Sequence, residues 1–290
     1  MRKLLMDDIQ HVISEYTTRG QTQFQHDKVK RKKESCEKRN AEIVKVEASG
    51  KVKEISRMPD DTQTVLYDVH YKYLMKHGSF IYLEEEVESR RAVYYDRRIY
   101  NDEEVSAVVD GLDIKEEIPE EKRGGNLSFK YDRLKAVQYA EKWWNTFNPA
   151  YRKFENDCTN YISQCLHAGN APMRGYPSQG KGWWMRNNNW SYSWTVANAM
   201  RLHLPASTIG LRAREVEGPH KLKLGDVICY DFEGDGRFDH TTIVTGRDAD
   251  AMPLVNAHTF NSRMRYWKYE DSTAYTPNIK YKFYTIVDDR

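Results

Sequence analysis

The 290-residue sequence lacks any apolar run close to the roughly 18 residues that a helix needs to span a bilayer. It also carries little net charge, because 45 basic residues face 43 acidic ones. Its N-terminus begins like a signal peptide, but Asp7 and Asp8 interrupt the apolar region that such a peptide requires. We therefore expect a cytoplasmic protein whose partners include neither nucleic acid nor membrane. Release from the cell or another route of export stays open.

Cysteine is scarce as well. The chain has four cysteines, and their spacing fits neither a zinc site nor a disulfide framework. Cys158 and Cys165 would lie about 10 Å apart by helical rise, which is too far for a disulfide. We expect free thiols, with Cys165 and Cys229 acting as small buried apolar residues. We expect no cofactor.

The first third of the chain combines a helical pattern with long alternating stretches. Apolar residues recur at helical spacing over residues 3–18, and residues 63–75 alternate with period two. Gly50 predicts a turn between two shorter strands, and residues 80–100 supply one long strand or two. A helix followed by an antiparallel meander predicts a small α+β roll of cystatin-like or NTF2-like shape over residues 1–105. We assign it no chemistry.

A basic stretch runs from Lys28 to Arg39. One interpretation is an arm that binds nucleic acid, and the other is a solvated helix face. Glu34 and Glu37 interrupt the run. They favour the solvated face, which is the prediction we adopt.

A change of composition marks a domain boundary. Residues 106–127 combine acidic clusters with Gly124-Gly125, which is typical of a linker. All seven tryptophans of the chain lie beyond this stretch. We therefore predict a second domain over residues 128–290.

The most informative stretch of the second domain is 156–166. It predicts an amphipathic helix that starts at Cys158, with Asp157 or Thr159 as its capping residue. A thiol in the first turn of a helix feels the positive end of the helix dipole, so we expect a lowered pKa and a reactive thiolate. The apolar positions that follow at offsets of three, four, seven and eight are Tyr161, Ile162, Cys165 and Leu166.

Residues 223–246 predict a strand, a glycine-rich turn and a second strand that begins at His240. Residues 254–258 predict a third strand, in which Asn256 and His258 point to the same face. A thiol nucleophile needs an imidazole to take its proton and a third polar group to orient that imidazole. The chain offers these groups in the order Cys158, His240, and then Asn256 or His258.

The glycine-rich turn carries four acidic residues at positions that an EF-hand-type calcium loop would use. Thr242 stands where the bidentate glutamate belongs, and the flanking segments are predicted strands. We interpret the turn as a tight polar hairpin and keep calcium as the weaker alternative. The four acidic residues are Asp231, Glu233, Asp235 and Asp239.

The stretch 156–164, taken with Gly225-Asp226-Val227 and the hairpin 231–240, resembles the "putative amidase domain" of Gram-positive bacteria, a family related to the NlpC/P60 and CHAP cysteine peptidases. The resemblance covers roughly residues 128–288. It implies a papain-like α+β domain, in which the helix that carries Cys158 packs on an antiparallel sheet. It also implies Cys158 as nucleophile, His240 as general base, and His258 as the orienting group with Asn256 as its substitute.

The resemblance implies hydrolysis of an amide or peptide bond through a thioacyl-enzyme on Cys158. Its relatives suggest cell-wall peptide, derived from peptidoglycan, as the substrate. The alternative is a catalytically silent module that binds a peptide or glycan in the same cleft. The tryptophans among the expected cleft residues could equally belong to the core. The residues expected around the oxyanion or the cleft are Asn156, Asp157, Asn160, Trp183 and Trp184.

Overall fold

The computed structural model describes residues 2–18, 24, 26–96, 98–105 and 129–289. The predicted linker, residues 106–127, lies outside the described residues. The chain divides into two compact units, Met1–Ser106 with Lys268–Tyr275 and Ala107–Trp267 with Thr276–Arg290. The segment Lys268–Tyr275 thus belongs to the first unit although it comes late in the chain, a feature that no sequence pattern indicates.

The first unit packs two helices on an antiparallel meander. The strands follow one another in chain order, each paired with the next. The predicted turn at Gly50 is wrong, because β1 continues through this residue and pairs Gly50 with Val69. Residues 80–100 contribute to two strands. The elements are α1 (Arg2–Thr17), α2 (Asp27–Lys38), β1 (Ala41–Arg57), β2 (Gln63–His77), β3 (Phe80–Tyr95) and β4 (Arg98–Glu104).

Helix α2 buries part of the basic stretch. The ammonium group of Lys28 lies 2.6 Å from carboxylate oxygens of both Glu86 and Glu88. Lys32 is only 3% exposed and lies 2.5 Å from Glu84. The prediction of a solvated face is therefore wrong for these two lysines, because the buried carboxylates of β3 require positive charges beside them.

The second unit is α+β, with helices packed on an antiparallel sheet of strand order β11-β10-β9-β8-β12-β7. Strands β5 and β6 form a separate small ladder. Its helices are α3 (Arg133–Trp143), α4 (Cys158–Ala168), α5 (Tyr192–Thr195), α6 (Ala197–Ala206) and a short 3-10 helix (Pro219–Lys221). Its strands are β5 (Met185–Arg186), β6 (Asn189–Trp190), β7 (Ala213–Val216), β8 (Val227–Asp231), β9 (His240–Arg247), β10 (Pro253–Ala257), β11 (Ser262–Tyr266) and β12 (Lys280–Ile286).

Helix α4 lies in the core of the second unit. It packs against α3 and against β9, and the predicted stripe of Tyr161, Ile162, Cys165 and Leu166 is fully buried. Each such apolar side chain contributes about 1.5–3 kcal/mol through burial. The stripe therefore determines which way the first turn of the helix faces, and with it the position of Cys158.

All four cysteines are free, as predicted, and all four are buried. Cys165 and Cys229 are fully enclosed in the apolar core. Among the helices in the described ranges, none has both the length and the apolar character needed to cross a membrane.

Candidate active site

Cys158 is the first residue of α4, as the sequence predicts, but its surroundings differ from the prediction. The side chain is only 6% exposed. Burial raises the pKa of the Cys158 thiol, and the hydrogen bonds offered by Thr159 and Thr241 offset this only in part. The expectation of a lowered pKa is therefore wrong for this structure, because loss of hydration disfavours the thiolate more than the helix start favours it.

The sulfur of Cys158 faces the start of β9. It lies 3.6 Å from the hydroxyl of Thr159 and 4.0 Å from the backbone carbonyl oxygen of Asp239. The Thr159 hydroxyl is in turn 3.1 Å from the hydroxyl of Thr241. Asp239, just before β9, and Thr241, the second residue of β9, therefore meet the helix that carries the thiol.

His240 lies between these two residues in sequence, so its side chain points to the other face of the sheet. Its ring packs beside the rings of Tyr230 and Phe232, at centroid distances of 5.7 Å and 6.0 Å. Burial, helped by the nearby charge of Arg265, lowers the pKa of His240 to about 3. In the described part of the chain, the hydrogen bonds of the Cys158 sulfur go to Thr159 and Asp239 rather than to His240.

His258 makes a different contact from the one predicted. Its Nδ1 lies 2.8 Å from Oδ2 of Asp157, and its Nε2 lies 2.7 Å from the carbonyl oxygen of Trp143. A carboxylate oxygen and a carbonyl oxygen accept hydrogen bonds, so each ring nitrogen of His258 faces an acceptor. The ring also stacks on Tyr161 at 3.9 Å. His258 therefore holds Asp157 and does not orient His240.

Asp157 occupies the N-cap position of α4 but does not cap the helix with its side chain. Besides the bond to His258, its Oδ1 accepts from the N–H of Phe154 at 3.0 Å and from Nδ2 of Asn160 at 2.9 Å. The oxygen of the Asn160 amide accepts from the indole N–H of Trp194 at 2.9 Å. Asp157 and Asn160 thus organise the loop before α4 instead of lining an open cleft. Asn156, just before them, is partly exposed.

Asn256 faces the same helices as His258, as the period of two predicts. Its Nδ2 donates to Glu141 of α3 at 2.8 Å, and its oxygen accepts from Thr245 at 2.8 Å and from the N–H of Met264 at 2.9 Å. These partners account for three of the four hydrogen bonds that an amide group can make. Asn256 therefore binds α3 and the neighbouring strands, on the face of the sheet away from the His240 ring.

The tryptophans that could have lined a cleft belong to the core. Trp183 and Trp184 are each 1% exposed. The indole N–H of Trp183 donates to the hydroxyl of Ser163 at 3.0 Å, and that of Trp184 donates to backbone carbonyls of its own loop. The sequence left open whether Trp183 and Trp184 line a cleft or belong to the core, and in the structure both are core residues.

The acidic hairpin is held together by backbone hydrogen bonds. The carboxylate of Asp231 accepts from the N–H groups of Gly234, Asp235 and Gly236 at 2.7–3.2 Å. Oxygens of Asp231, Glu233 and Asp239 lie within 4.8 Å of one another. Burial together with the neighbouring carboxylate of Glu233 raises the pKa of Asp239 to about 7. This cluster contains three of the four acidic residues that the sequence offers for a cation and leaves out Asp235.

Thr259 is the site residue that sequence reasoning missed. Its hydroxyl oxygen accepts from the backbone N–H of Asp157 at 2.9 Å and of Cys158 at 3.1 Å. The sequence assigns a role to His258 but none to Thr259, the residue that follows it. No local pattern reveals that its hydroxyl reaches the first turn of α4.

Comparison with known proteins supports the resemblance seen in the sequence. The family model described as "Putative amidase domain" matches residues 130–284. The chain is 48% identical, over its whole length and 96% of the relative, to "Uncharacterized protein YhbB" of Bacillus subtilis (strain 168). It is 33% identical to "Uncharacterized protein YjcM" of the same organism, over 45% of this chain and 31% of that protein. No solved structure matches. The chain therefore belongs to the putative amidase domain family.

Proposed function

We propose that the second unit is a cysteine-dependent amidase or peptidase that forms a thioacyl-enzyme on Cys158. The observation that carries the proposal is the position of the thiol, at the first residue of a buried helix and 4.0 Å from the carbonyl of Asp239 at the start of β9. Membership of an amidase family agrees with it. A helix that carries cysteine against an antiparallel sheet is also the papain-like arrangement, which we propose as the fold.

The proposed reaction has two halves. The Cys158 sulfur attacks the carbonyl carbon of an amide, a C–S bond forms, and the thiol proton passes to His240. The C–N bond then breaks, and the amine leaves with that proton. Water next attacks the thioester, which releases the acid and restores the thiol. The N–H of Cys158, with Asn156 nearby, stabilises the oxyanion in both halves.

The role of His240 requires its ring to turn toward α4. His240 is the first residue of β9, and its two neighbours in sequence already contact the cysteine helix. A rotation confined to the beginning of the strand would therefore bring the ring to the sulfur. The neutral ring can accept a proton, and exposure to water would return its pKa toward the ordinary value.

The second candidate function is binding of a peptide or glycan without turnover. The buried thiol with its raised pKa and the orientation of His240 favour it. In this case the first turn of α4 would recognise a ligand, and Cys158 would contribute shape and no chemistry.

An amide-hydrolysis assay separates the two candidates. Wild type, Cys158→Ala, His240→Gln and Cys36→Ala are incubated with simple amides and with peptides derived from cell wall, and amine release is followed. We expect Cys158→Ala and His240→Gln to abolish release, while Cys36→Ala, which removes another buried thiol, leaves it unchanged. Full activity in Cys158→Ala would reject the thioacyl mechanism. Peptide binding without amine release, equal in wild type and Cys158→Ala, would identify the silent module.

A further inference from the structure

The turn between β10 and β11, residues 258–261, is fastened to the N-terminus of α4. The hydroxyl of Thr259 accepts hydrogen bonds from the N–H groups of Asp157 and Cys158, at 2.9 Å and 3.1 Å. One residue earlier, the ring of His258 lies 2.8 Å from the Asp157 carboxylate. Three hydrogen bonds therefore join two residues of this turn to the two residues at which the helix begins.

Thr259 holds this contact in a strained backbone conformation. Its φ of +74° lies in the left-handed region, where a β-branched side chain clashes with its own backbone. A residue stays in this region only when its surroundings compensate for the strain. The two N–H groups that donate to the Thr259 hydroxyl provide such compensation, so losing them would favour release of the turn.

The contact conflicts with catalysis as proposed for Cys158. The oxyanion of the tetrahedral intermediate needs the N–H of Cys158 as a donor. In the structure that N–H already donates to Thr259. The sulfur beside it is also nearly inaccessible, since Cys158 is 6% exposed. A substrate carbonyl oxygen and the Thr259 hydroxyl therefore compete for one donor.

We propose that Thr259 is an autoinhibitory latch, whose hydroxyl occupies the oxyanion position of Cys158 until an acyl substrate displaces it. This inference rests on the function proposed above. An oxygen that gains negative charge is a stronger acceptor than a neutral hydroxyl. Displacement of the Thr259 hydroxyl by the substrate oxygen therefore becomes more favourable as the reaction proceeds. Release of the turn also relieves the left-handed backbone. The ligands that open the latch are those that place a carbonyl oxygen at the start of α4.

Substitutions of Thr259 test the latch. Thr259→Val keeps the branched shape and removes the acceptor, whereas Thr259→Ser keeps the acceptor. We expect Thr259→Val to raise both the rate of Cys158 alkylation by iodoacetamide and kcat/KM for amides by about 3- to 10-fold, the factor that one hydrogen bond is worth. The gain in kcat/KM should come mainly from a lower KM. Thr259→Ser should stay close to wild type.

The control variant is Thr276→Val, which removes another threonine hydroxyl that accepts a backbone N–H, from Asn278. Thr276→Val should change neither the rate of Cys158 alkylation nor kcat/KM for amides. A folded Thr259→Val protein that is alkylated and turns over no faster than wild type would overturn the latch and leave Thr259 as a structural cap. If no variant hydrolyses amides but Thr259→Val still speeds alkylation, the hydrolase proposal fails and the latch on the thiol stands.

The wild-type protein allows a second measurement that does not depend on a folded variant. N-acetyl-alaninal adds to the Cys158 sulfur as a hemithioacetal: a C–S bond forms, and the thiol proton passes to the former aldehyde oxygen. If that oxygen displaces Thr259, amide hydrogen exchange over residues 258–261 should accelerate several-fold on addition of the aldehyde. Unchanged or slower exchange in the fully modified protein would overturn the latch.

Discussion

Nδ1 of His258 lies 2.8 Å from Oδ2 of Asp157, and each side chain is 3% exposed. The other ring nitrogen reaches the carbonyl of Trp143, the last residue of α3. The pair thus connects the turn after β10, the end of α3 and the beginning of α4. This buried, hydrogen-bonded pair determines how the residue before Cys158 is held, and it leads to the first prediction.

Replacing His258 should destabilise the protein strongly. In His258→Phe the carboxylate of Asp157 stays buried and loses the hydrogen bond to its Oδ2, and a buried acceptor left without its bond costs about 1–3 kcal/mol, more when it is charged. Urea denaturation measures the free energy of unfolding. The control is His220→Phe, because the side chain of His220 is half exposed. If His258→Phe loses no more free energy of unfolding than His220→Phe, the pair of His258 and Asp157 contributes nothing to stability.

The reactivity of Cys158 should keep rising at high pH. Burial raises the pKa of this thiol, so the thiolate fraction below that pKa grows about tenfold per pH unit. Alkylation by iodoacetamide, followed at Cys158 by mass spectrometry, should still be increasing when free cysteine, with a pKa of about 8.5, has levelled off. Cys158→Ala identifies the modified peptide. A plateau already at neutral pH would mean that the helix dipole outweighs burial.

His240 should make the protein less stable in acid. Its pKa is lowered to about 3 in the folded state, whereas an unfolded histidine has a pKa of about 6.5. Below the unfolded value the unfolded state binds the extra proton, so stability is complete above about pH 6.5 and falls as the pH drops toward the folded pKa. The fall is at most about 1.4 kcal/mol per pH unit for one group.

The measurement compares urea denaturation of wild type and His240→Gln from pH 7 to pH 4. The difference between the two proteins isolates His240 from other groups with a lowered pKa, such as His203, whose pKa desolvation lowers to about 4. The wild type should lose stability more steeply than the variant. If the free energy of unfolding falls equally with pH in the two proteins, His240 is hydrated or protonated in the folded protein.

The first unit should depend on its buried lysines. Lys32 lies 2.5 Å from Glu84 and 2.9 Å from Asp271, so Lys32→Met leaves two carboxylates without their ammonium. We expect the free energy of unfolding of this unit to fall by about 3–5 kcal/mol. Lys30→Met, on the exposed face of the same helix, is the control and should be nearly neutral. Equal stability of the two variants would mean that Glu84 and Asp271 are protonated or hydrated.

The local sequence was sufficient to predict the helix that begins at Cys158. Its apolar residues recur every three to four positions, and only a helix can bury them together. The alternation of residues 63–75 likewise predicts β2, and the period of two places Asn256 and His258 on one face. These features depend on neighbours along the chain, so one sequence contains the information.

Only the tertiary structure decided which polar groups meet. The period of two does not say that α3 covers the face of Asn256 and His258, so their partners Glu141 and Trp143 could not be predicted. It also does not say which face of β9 receives α4, and that choice directs His240 away from the thiol. Periodicity reports that a side is buried but not what buries it. For the same reason the charge of Lys28 and Lys32 predicted a solvated face, when the carboxylates that bury them lie more than fifty residues away in the chain. The position of Cys158 thus follows from local sequence, whereas its raised pKa and its contact with Thr259 follow from the fold.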